Sequence, residues 1–195
     1  GEEAVNTTRT FVAVNVSPRT LVDREFVPMV QELVAGAGAE TSCLELEITE
    51  ESLVGGSGSV VGVLQRLDSL GVEGAIDDFG TGHSSLTRLR ELPIREVKIA
   101  RSFVQAMATD GQSAAIVEST ISLARKLGMR VVAEGVETDA ILAALHGMAC
   151  DQAQGFLFSP ALPSNRLLAW VDQHQAGLHR DRTRVSGGRS AGRTR

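Results

Sequence analysis

The sequence predicts an α/β fold, a (β/α)8 TIM-type barrel that is incomplete, with about six of the eight βα units present. Strand-like and helix-like segments alternate along the chain, strand-like runs recur every 20 to 36 residues, and most end in a polar side chain. A closed barrel of this type takes about 250 residues, whereas the chain has 195. The alternative is a doubly wound open sheet.

Six runs have the apolar, β-branched composition of buried parallel strands. They cover residues 11–16, 44–49, 74–79, 96–99, 130–134 and, with loose bounds, 149–158. Parallel strands need a crossover connection, which is usually a helix. The intervening segments are therefore expected to be helical.

Amphipathic stretches fill these connections, with apolar residues repeating at helical spacing. They cover residues 26–37, 60–70, 85–90, 113–127, 139–146 and 165–174. Gly71 and Gly128 stand where C-terminal helix caps belong, and Thr138 is suited to be an N-cap. Each cap marks a boundary that the structure can test.

Charge and composition limit the function. The chain carries a net charge of -5, and residues 1–175 hold 23 acidic against 13 basic side chains. Such an acidic body argues against binding to a nucleic acid duplex. No apolar run reaches the ~20 residues of a membrane-spanning helix, and we expect a cytoplasmic domain whose parent protein can still be membrane-anchored.

Asp77 and Asp78 are adjacent carboxylates at the point where an apolar run meets a loop containing Gly80 and Gly82. Like charges this close raise each other's pKa, so the pair is unfavourable without a nearby cation. A divalent metal removes the repulsion and uses both groups as ligands. The pair therefore predicts a metal site.

Polar residues end the other predicted strands as well. These are Asn15, Glu47, Lys98, Glu134 and Gln154. The carboxyl ends of barrel strands meet on one face, where the active site lies. Carboxylates with an amide oxygen suit Mg²⁺ or Mn²⁺, and a lysine with a further glutamate completes a hydrolytic site. The residues alone predict metal-assisted hydrolysis of a phosphorylated substrate.

Six motifs in a fixed order resemble the EAL domain family, bacterial phosphodiesterases that linearise cyclic di-GMP to pGpG. The motifs are Asn15-Val16-Ser17, Leu46-Glu47-Ile48-Thr49-Glu50, Asp77-Asp78-Phe79-Gly80-Thr81-Gly82, Val97-Lys98-Ile99, Glu134-Gly135-Val136-Glu137 and Gln154-Gly155-Phe156. On this resemblance, residues 1–10 are a connecting segment and 11–175 an EAL domain. Residues 176–195, with six arginines against one acid, are predicted to be a disordered tail.

The resemblance implies a catalytic centre with two Mg²⁺ or Mn²⁺ ions. The implied metal ligands are Asn15, Glu47, Asp77 and Asp78. Lys98 is implied to contact the nucleophilic water or the phosphate. Glu134 is implied to be the general base or a partner of the second metal.

The resemblance also implies supporting residues and partners. Gln154 and Glu137 support the site, and Glu50 braces the loop of residues 80–85. That loop couples substrate binding to metal binding and to formation of a homodimer. A fused sensor or GGDEF-type domain is expected upstream in a longer polypeptide.

Three departures from the family pattern keep a second interpretation open. The Glu-Ala-Leu tripeptide that names the family is missing, and its metal-binding glutamate is expected upstream of Gly1. Ala100 stands where the family usually has aspartate after Lys-Ile, and His83 replaces a usual tyrosine. The alternative function is a catalytically inactive cyclic di-GMP receptor or protein-interaction module. A phosphodiesterase for a different nucleotide is a third possibility.

Overall fold

The computed structural model describes residues 11–54, 58–82 and 86–173. The chain divides into two compact units, Gly1–Phe158 and Ser159–Arg195. The predicted connecting segment at 1–10 and the predicted tail at 176–195 lie outside the described residues. In the second unit, residues 164–173 are helical, close to the predicted 165–174.

The first unit contains a six-stranded parallel sheet that curls into a half-barrel. The strands are β1 (Val12–Asn15), β2 (Leu44–Thr49), β3 (Glu73–Phe79), β4 (Glu96–Ile99), β5 (Arg130–Ala133) and β6 (Gln152–Ala153). Each strand pairs with the next one along the chain, in the order β1 to β6. This confirms the predicted incomplete (β/α)8 TIM-type barrel and excludes the crossed strand order of a doubly wound sheet.

Eight α-helices and a short 3-10 helix, Thr41–Cys43, are described in this unit. The α-helices are α1 (Pro18–Leu21), α2 (Phe26–Gly36), α3 (Glu50–Val54), α4 (Gly58–Ser69), α5 (Leu86–Glu91), α6 (Arg101–Ala106), α7 (Gly111–Lys126) and α8 (Asp139–Gly147). Gly71 and Gly128 adopt positive φ of 87° and 75° just after α4 and α7. The Thr138 side chain accepts a hydrogen bond from Ile141 N at the start of α8, so the predicted caps are confirmed.

The last predicted strand was too long. Within 149–158 only Gln152 and Ala153 pair with β5. Ala149 has a positive φ of 55°, which breaks the extended backbone before the strand. After it, Phe158 N donates to Gly155 O and closes a turn.

Strict alternation along β2 separates two faces of the sheet. Leu46 and Ile48 join the apolar core with residues such as Leu64 of α4. Glu45 and Glu47 alternate with them and are buried too. Since successive side chains of a strand point to opposite faces, the second face of the sheet carries buried charge.

Arg130 neutralises part of that charge near the amino ends of the strands. Its Nη2 lies 2.7 Å from Glu73 Oε2 and 3.4 Å from Glu45 Oε2, and its Nε lies 3.0 Å from Glu96 Oε2. Oε1 of Glu45 is buried without a hydrogen-bond partner in the described part of the chain. Burial and the neighbouring Glu96 carboxylate raise the pKa of Glu45 to about 7.

Strand β1 is the edge of the sheet and has no partner on its outer side among residues 11–54, 58–82 and 86–173. Val12 and Val14 are 60% and 42% exposed. They line an apolar groove of about 350 Å³ together with residues of α2 such as Met29 and Leu33. An open strand edge beside exposed apolar side chains favours association with other chains.

We therefore expect the 195-residue chain to self-associate. Val14→Lys places a charge in the groove and is expected to reduce that association. Gln112→Lys adds the same charge at the exposed start of α7 and serves as the matched control. Sedimentation velocity across a concentration series measures the effect; a monomer at every concentration would contradict the expectation.

Arg130 is predicted to be a determinant of stability. Arg130→Met leaves three carboxylates without their cation and should lower the free energy of unfolding by about 2 kcal/mol or more. Arg95→Met removes an exposed pair with Asp68 and should cost less than about 1 kcal/mol. Urea unfolding of both variants is the measurement, and equal losses would show that the Arg130 cluster has no special role.

The raised pKa of Glu45 predicts that the stability of the fold depends on pH. A carboxyl whose pKa rises from 4.5 to about 7 on folding stabilises the fold in its protonated form; that contribution is full below 4.5 and is lost as the pH rises through 7. Glu45→Gln stays neutral, so it should gain stability relative to wild type between pH 5 and pH 8. Glu32→Gln, on the exposed side of α2, is the control. A pH-independent difference for Glu45→Gln would contradict this assignment.

Candidate metal centre

The carboxyl ends of the first three strands bring their polar residues together. Asn15 at the end of β1 is the register partner of Glu47 on β2. Thr49, two residues further along β2, is the register partner of Asp77 on β3. Asn15 is exposed at the sheet edge, whereas Glu47 is buried. The predicted residues from three strands therefore lie at one end of the sheet.

Lys98 of β4 lies at the centre of this end. Its Nζ is 2.5 Å from Glu47 Oε1, 2.6 Å from Glu134 Oε1 and 3.9 Å from Asp77 Oδ1. The lysine side chain is only 4% exposed. One buried ammonium thus joins the carboxylates of Glu47 on β2 and Glu134 directly after β5, and it lies near that of Asp77 on β3.

The protonation of these groups follows from the ion pairs. Burial lowers the pKa of Lys98. The hydrogen bonds and charges of Glu134 and Glu47 raise it by more than burial lowers it, so the pKa of Lys98 lies above its ordinary value. Burial raises the pKa of Glu134, and the opposing effect of Lys98 does not cancel it. The lysine is held as a cation, and Glu134 accepts a proton more readily than an ordinary carboxylate.

Asp77, Asp78 and Glu134 form a group of carboxylates that could hold a metal ion. One carboxylate oxygen of each lies within 4.8 Å of the others. Asp78 has a positive φ of 52°, and its N–H donates to Asp77 Oδ1 at 2.9 Å. This local bend turns two adjacent residues toward the same space. Hard oxygen ligands at this spacing fit Mg²⁺ or Mn²⁺.

The site holds more negative than positive charge. Glu47, Asp77, Asp78 and Glu134 carry up to four negative charges, and Lys98 supplies one positive charge. Close like charges are costly in a partly buried place. A divalent cation would reduce that cost, so the donor set and the charge balance both fit the predicted metals.

Glu50 fixes the loop that follows the aspartate pair. It is buried, and its Oε2 accepts hydrogen bonds from Gly80 N at 2.9 Å and Gly82 N at 3.3 Å. A Cβ on Gly82 would lie 3.0 Å from the Glu50 carboxyl carbon. The backbone therefore follows the carboxylate closely. The rest of the predicted dimerisation loop, residues 83–85, lies outside the described residues.

Gln154 and Glu137 occupy different positions at the site. Gln154 is exposed, and its backbone bonds to Ala133 O and Val136 N hold it beside the end of β5. Glu137 turns to Arg101 and Gln105, which donate to its Oε1 at 2.7 and 2.8 Å. Glu137 is therefore not one of the three clustered carboxylates.

Sequence reasoning missed the residues around Glu137. Arg101 and Gln105 lie on α6, a six-residue helix that is not among the amphipathic stretches predicted from the sequence. The Arg101 guanidinium lies 5.8 Å from the centre of the Phe156 ring. A local signal was available for Arg101, because it follows Lys98 by three residues, just past the end of β4.

The family model of the EAL domain matches residues 2–161 of the chain. Two curated relatives from Pseudomonas aeruginosa are similar. The bifunctional diguanylate cyclase/cyclic di-GMP phosphodiesterase MucR is 39% identical over 82% of this chain and 23% of its own length. The cyclic di-GMP phosphodiesterase NbdA is 42% identical over 78% of this chain and 19% of its own length. The chain thus spans about a fifth of these relatives.

Solved structures show the same similarity. The phosphodiesterase of PaMucR in complex with c-di-GMP gives a TM-score of 0.78 at 38% identity, covering 80% of this chain and 64% of that one. The EAL domain of Mycobacterium smegmatis DcpA gives a TM-score of 0.79 at 37% identity, covering 84% and 73%. Klebsiella pneumoniae BlrP1, solved with manganese and cyclic di-GMP, gives 0.73 at 31% identity, covering 78% and 39%.

Proposed function

Because the chain belongs to the EAL domain family, we propose that it serves as a cyclic di-GMP phosphodiesterase that hydrolyses its substrate to linear pGpG in bacterial signalling. The observation that carries the proposal is the buried Lys98 ammonium between Glu47 and Glu134, at the carboxyl ends of the strands. Substrate and reaction come from the relatives' names, which this chain matches over part of their length. The charge arrangement supports phosphodiester chemistry.

Two divalent ions, Mg²⁺ or Mn²⁺, are proposed as cofactors. Their proposed ligands are Asn15, Glu47, Asp77 and Asp78, with Glu134 beside the aspartates. When bound, such ions neutralise the phosphate and acidify the attacking water. Glu50 keeps the loop after Asp78 in place through Gly80 and Gly82.

Side chains of the protein are proposed to bind the phosphate, to accept a proton and to support the site. Lys98 is held as a cation and presents its ammonium to a phosphate oxygen. Glu134, whose pKa is raised by burial, takes the proton from the attacking water as general base. Gln154 is exposed at the same end and contributes an amide that can donate to substrate. Glu137 accepts hydrogen bonds from Arg101 and Gln105 of α6.

The proposal extends to partners and location. The relatives suggest fusion to a GGDEF-type or sensor domain in a longer protein, since they are four to five times longer than the matched region. Homodimerisation through the loop after Asp78 and a cytoplasmic location complete the proposal. Among the described residues no helix is long and apolar enough to cross a membrane.

A second candidate function is cyclic di-GMP binding without turnover. Ala100 favours it, because this fully buried methyl group stands where the family usually has a carboxylate. Such a receptor would bind the nucleotide and leave it intact.

The proposed function predicts specific losses. Lys98→Ala and Glu134→Gln are each expected to slow pGpG formation about 100-fold or more, measured at a temperature at which circular dichroism shows each variant to be folded. Lys126→Ala and Glu118→Gln make the same changes at exposed positions of α7. These two control variants should form pGpG at the wild-type rate. Chromatography of reactions with cyclic di-GMP and Mn²⁺ or Mg²⁺ is the measurement.

The controls separate the alternatives. Full activity in both site variants would refute the assigned roles. Calorimetric binding of cyclic di-GMP without product from the wild type would support the receptor. A faster rate on cyclic di-AMP than on cyclic di-GMP would point to a different nucleotide substrate.

A further inference from the structure

Phe156 is an exposed aromatic residue beside the candidate site. Its side chain is 64% exposed, and it follows Gln154 by two residues. Burying a phenylalanine ring would contribute about 1.5–3 kcal/mol. A ring kept in solvent next to a site with proposed catalytic residues therefore calls for a functional explanation.

The loop that carries Phe156 is held rigidly against the loop after β5. Val136 N donates to Gln154 O at 3.0 Å, and Leu157 N donates to Val136 O at 3.0 Å. A Cβ on Gly155 would lie 2.1 Å from Val136 O. Only glycine permits this approach, so the position of the ring is fixed by its neighbours on both sides.

Arg101 covers one face of the ring. Its guanidinium lies 5.8 Å from the ring centre and donates to Glu137 at 2.7 Å. Gly135 has a φ of 68°, and a Cβ there would lie 2.2 Å from Arg101 Cγ. The arginine stem crosses the backbone at this glycine, which fixes the cation and leaves the rest of the ring exposed.

These residues form a second tier beyond the candidate metal centre. The first tier consists of Lys98 in β4, Glu134 directly after β5 and Gln154 directly after β6. The second tier consists of Arg101 at the start of α6, Glu137 and Phe156, each two or three residues further along the chain. The first tier carries the charges suited to a phosphate. The second tier presents an aromatic ring and a cation, the two groups that bind nucleobases through stacking and cation–π contact.

We infer that Phe156, backed by Arg101, is a stacking surface for one guanine base of the dinucleotide whose phosphate lies at the metal centre. The inference rests on the proposed function. A cyclic dinucleotide places its bases on either side of the phosphodiester. With the phosphate at the first tier, one base therefore extends to the second tier, where Phe156 lies. Stacking of a purine on the free face buries the ring.

Substrate discrimination in the full-length protein tests the inference. The quantity is the ratio of kcat/KM for cyclic di-GMP to that for methyl 4-nitrophenyl phosphate, which has no nucleobase. Phe156→Ala should lower this ratio at least about fivefold, since stacking contributes roughly a factor of 5 to 150. Phe156→Trp should keep it within about twofold of wild type.

Leu168→Ala is the matched control, because Leu168 in the helix of residues 164–173 is 75% exposed and carries no proposed role. An unchanged ratio in Phe156→Ala overturns the inference. An equal loss in Phe156→Ala and Phe156→Trp also overturns it, because a structural role or a protein-binding role does not depend on an aromatic face for the nucleotide.

Calorimetry of cyclic di-GMP binding in Ca²⁺ distinguishes failure of this inference from failure of the proposed function. Binding that weakens in Phe156→Ala, together with no turnover by the wild type, would overturn the phosphodiesterase and retain the stacking surface. If the wild type turns over cyclic di-GMP and Phe156→Ala binds it as tightly as the wild type, the phosphodiesterase is retained and the stacking surface is overturned. Absence of both binding and turnover overturns both.

Discussion

The buried ion pairs of Lys98 are the interaction on which the rest of the site depends. A single ammonium joins Glu47 and Glu134 and lies 3.9 Å from Asp77. Removing charges from water costs several kcal/mol per ion, and only close pairing offsets that cost. The four segments that supply these residues must therefore be held in register, which the parallel hydrogen bonding of β2 through β5 provides.

The same constraint recurs at the other end of the strands. Glu45 and Glu47 lie two residues apart on β2, and Glu96 and Lys98 lie two residues apart on β4. Each strand therefore carries one charge toward Arg130 and one toward the candidate metal centre. The inner face of the half-barrel therefore carries two groups of ion pairs, one around Arg130 and one around Lys98. On the outer face, Leu46 and Ile48 join the apolar core. Stability and chemistry are built from alternate residues of the same strands.

Much of this arrangement could be predicted from the sequence, because it depends on local pattern. The alternation in Leu-Glu-Leu-Glu-Ile-Thr marks β2, and convergence of strand ends brings Glu47, Asp77, Lys98 and Glu134 together. The long-range ion pairs of Arg130 could not be predicted, since no local pattern shows which carboxylates a distant arginine meets. Helices α1 and α3 have only four and five residues, too few for a periodic signal. The pairing of Arg101 with Phe156 depends on close backbone approaches at Gly135 and Gly155.

The central claim is that the clustered carboxylates form a site for divalent cations. Thermal unfolding with and without Mn²⁺ tests it most directly, since a ligand that binds only the folded state stabilises it by about 2.7 kcal/mol at one hundred times Kd. The account predicts that Mn²⁺ raises Tm in wild type and in the control variant Asp68→Asn, whose carboxylate pairs with Arg95, and that the rise is lost in Asp77→Asn. An equal rise in Asp77→Asn, or no rise in wild type, would contradict it.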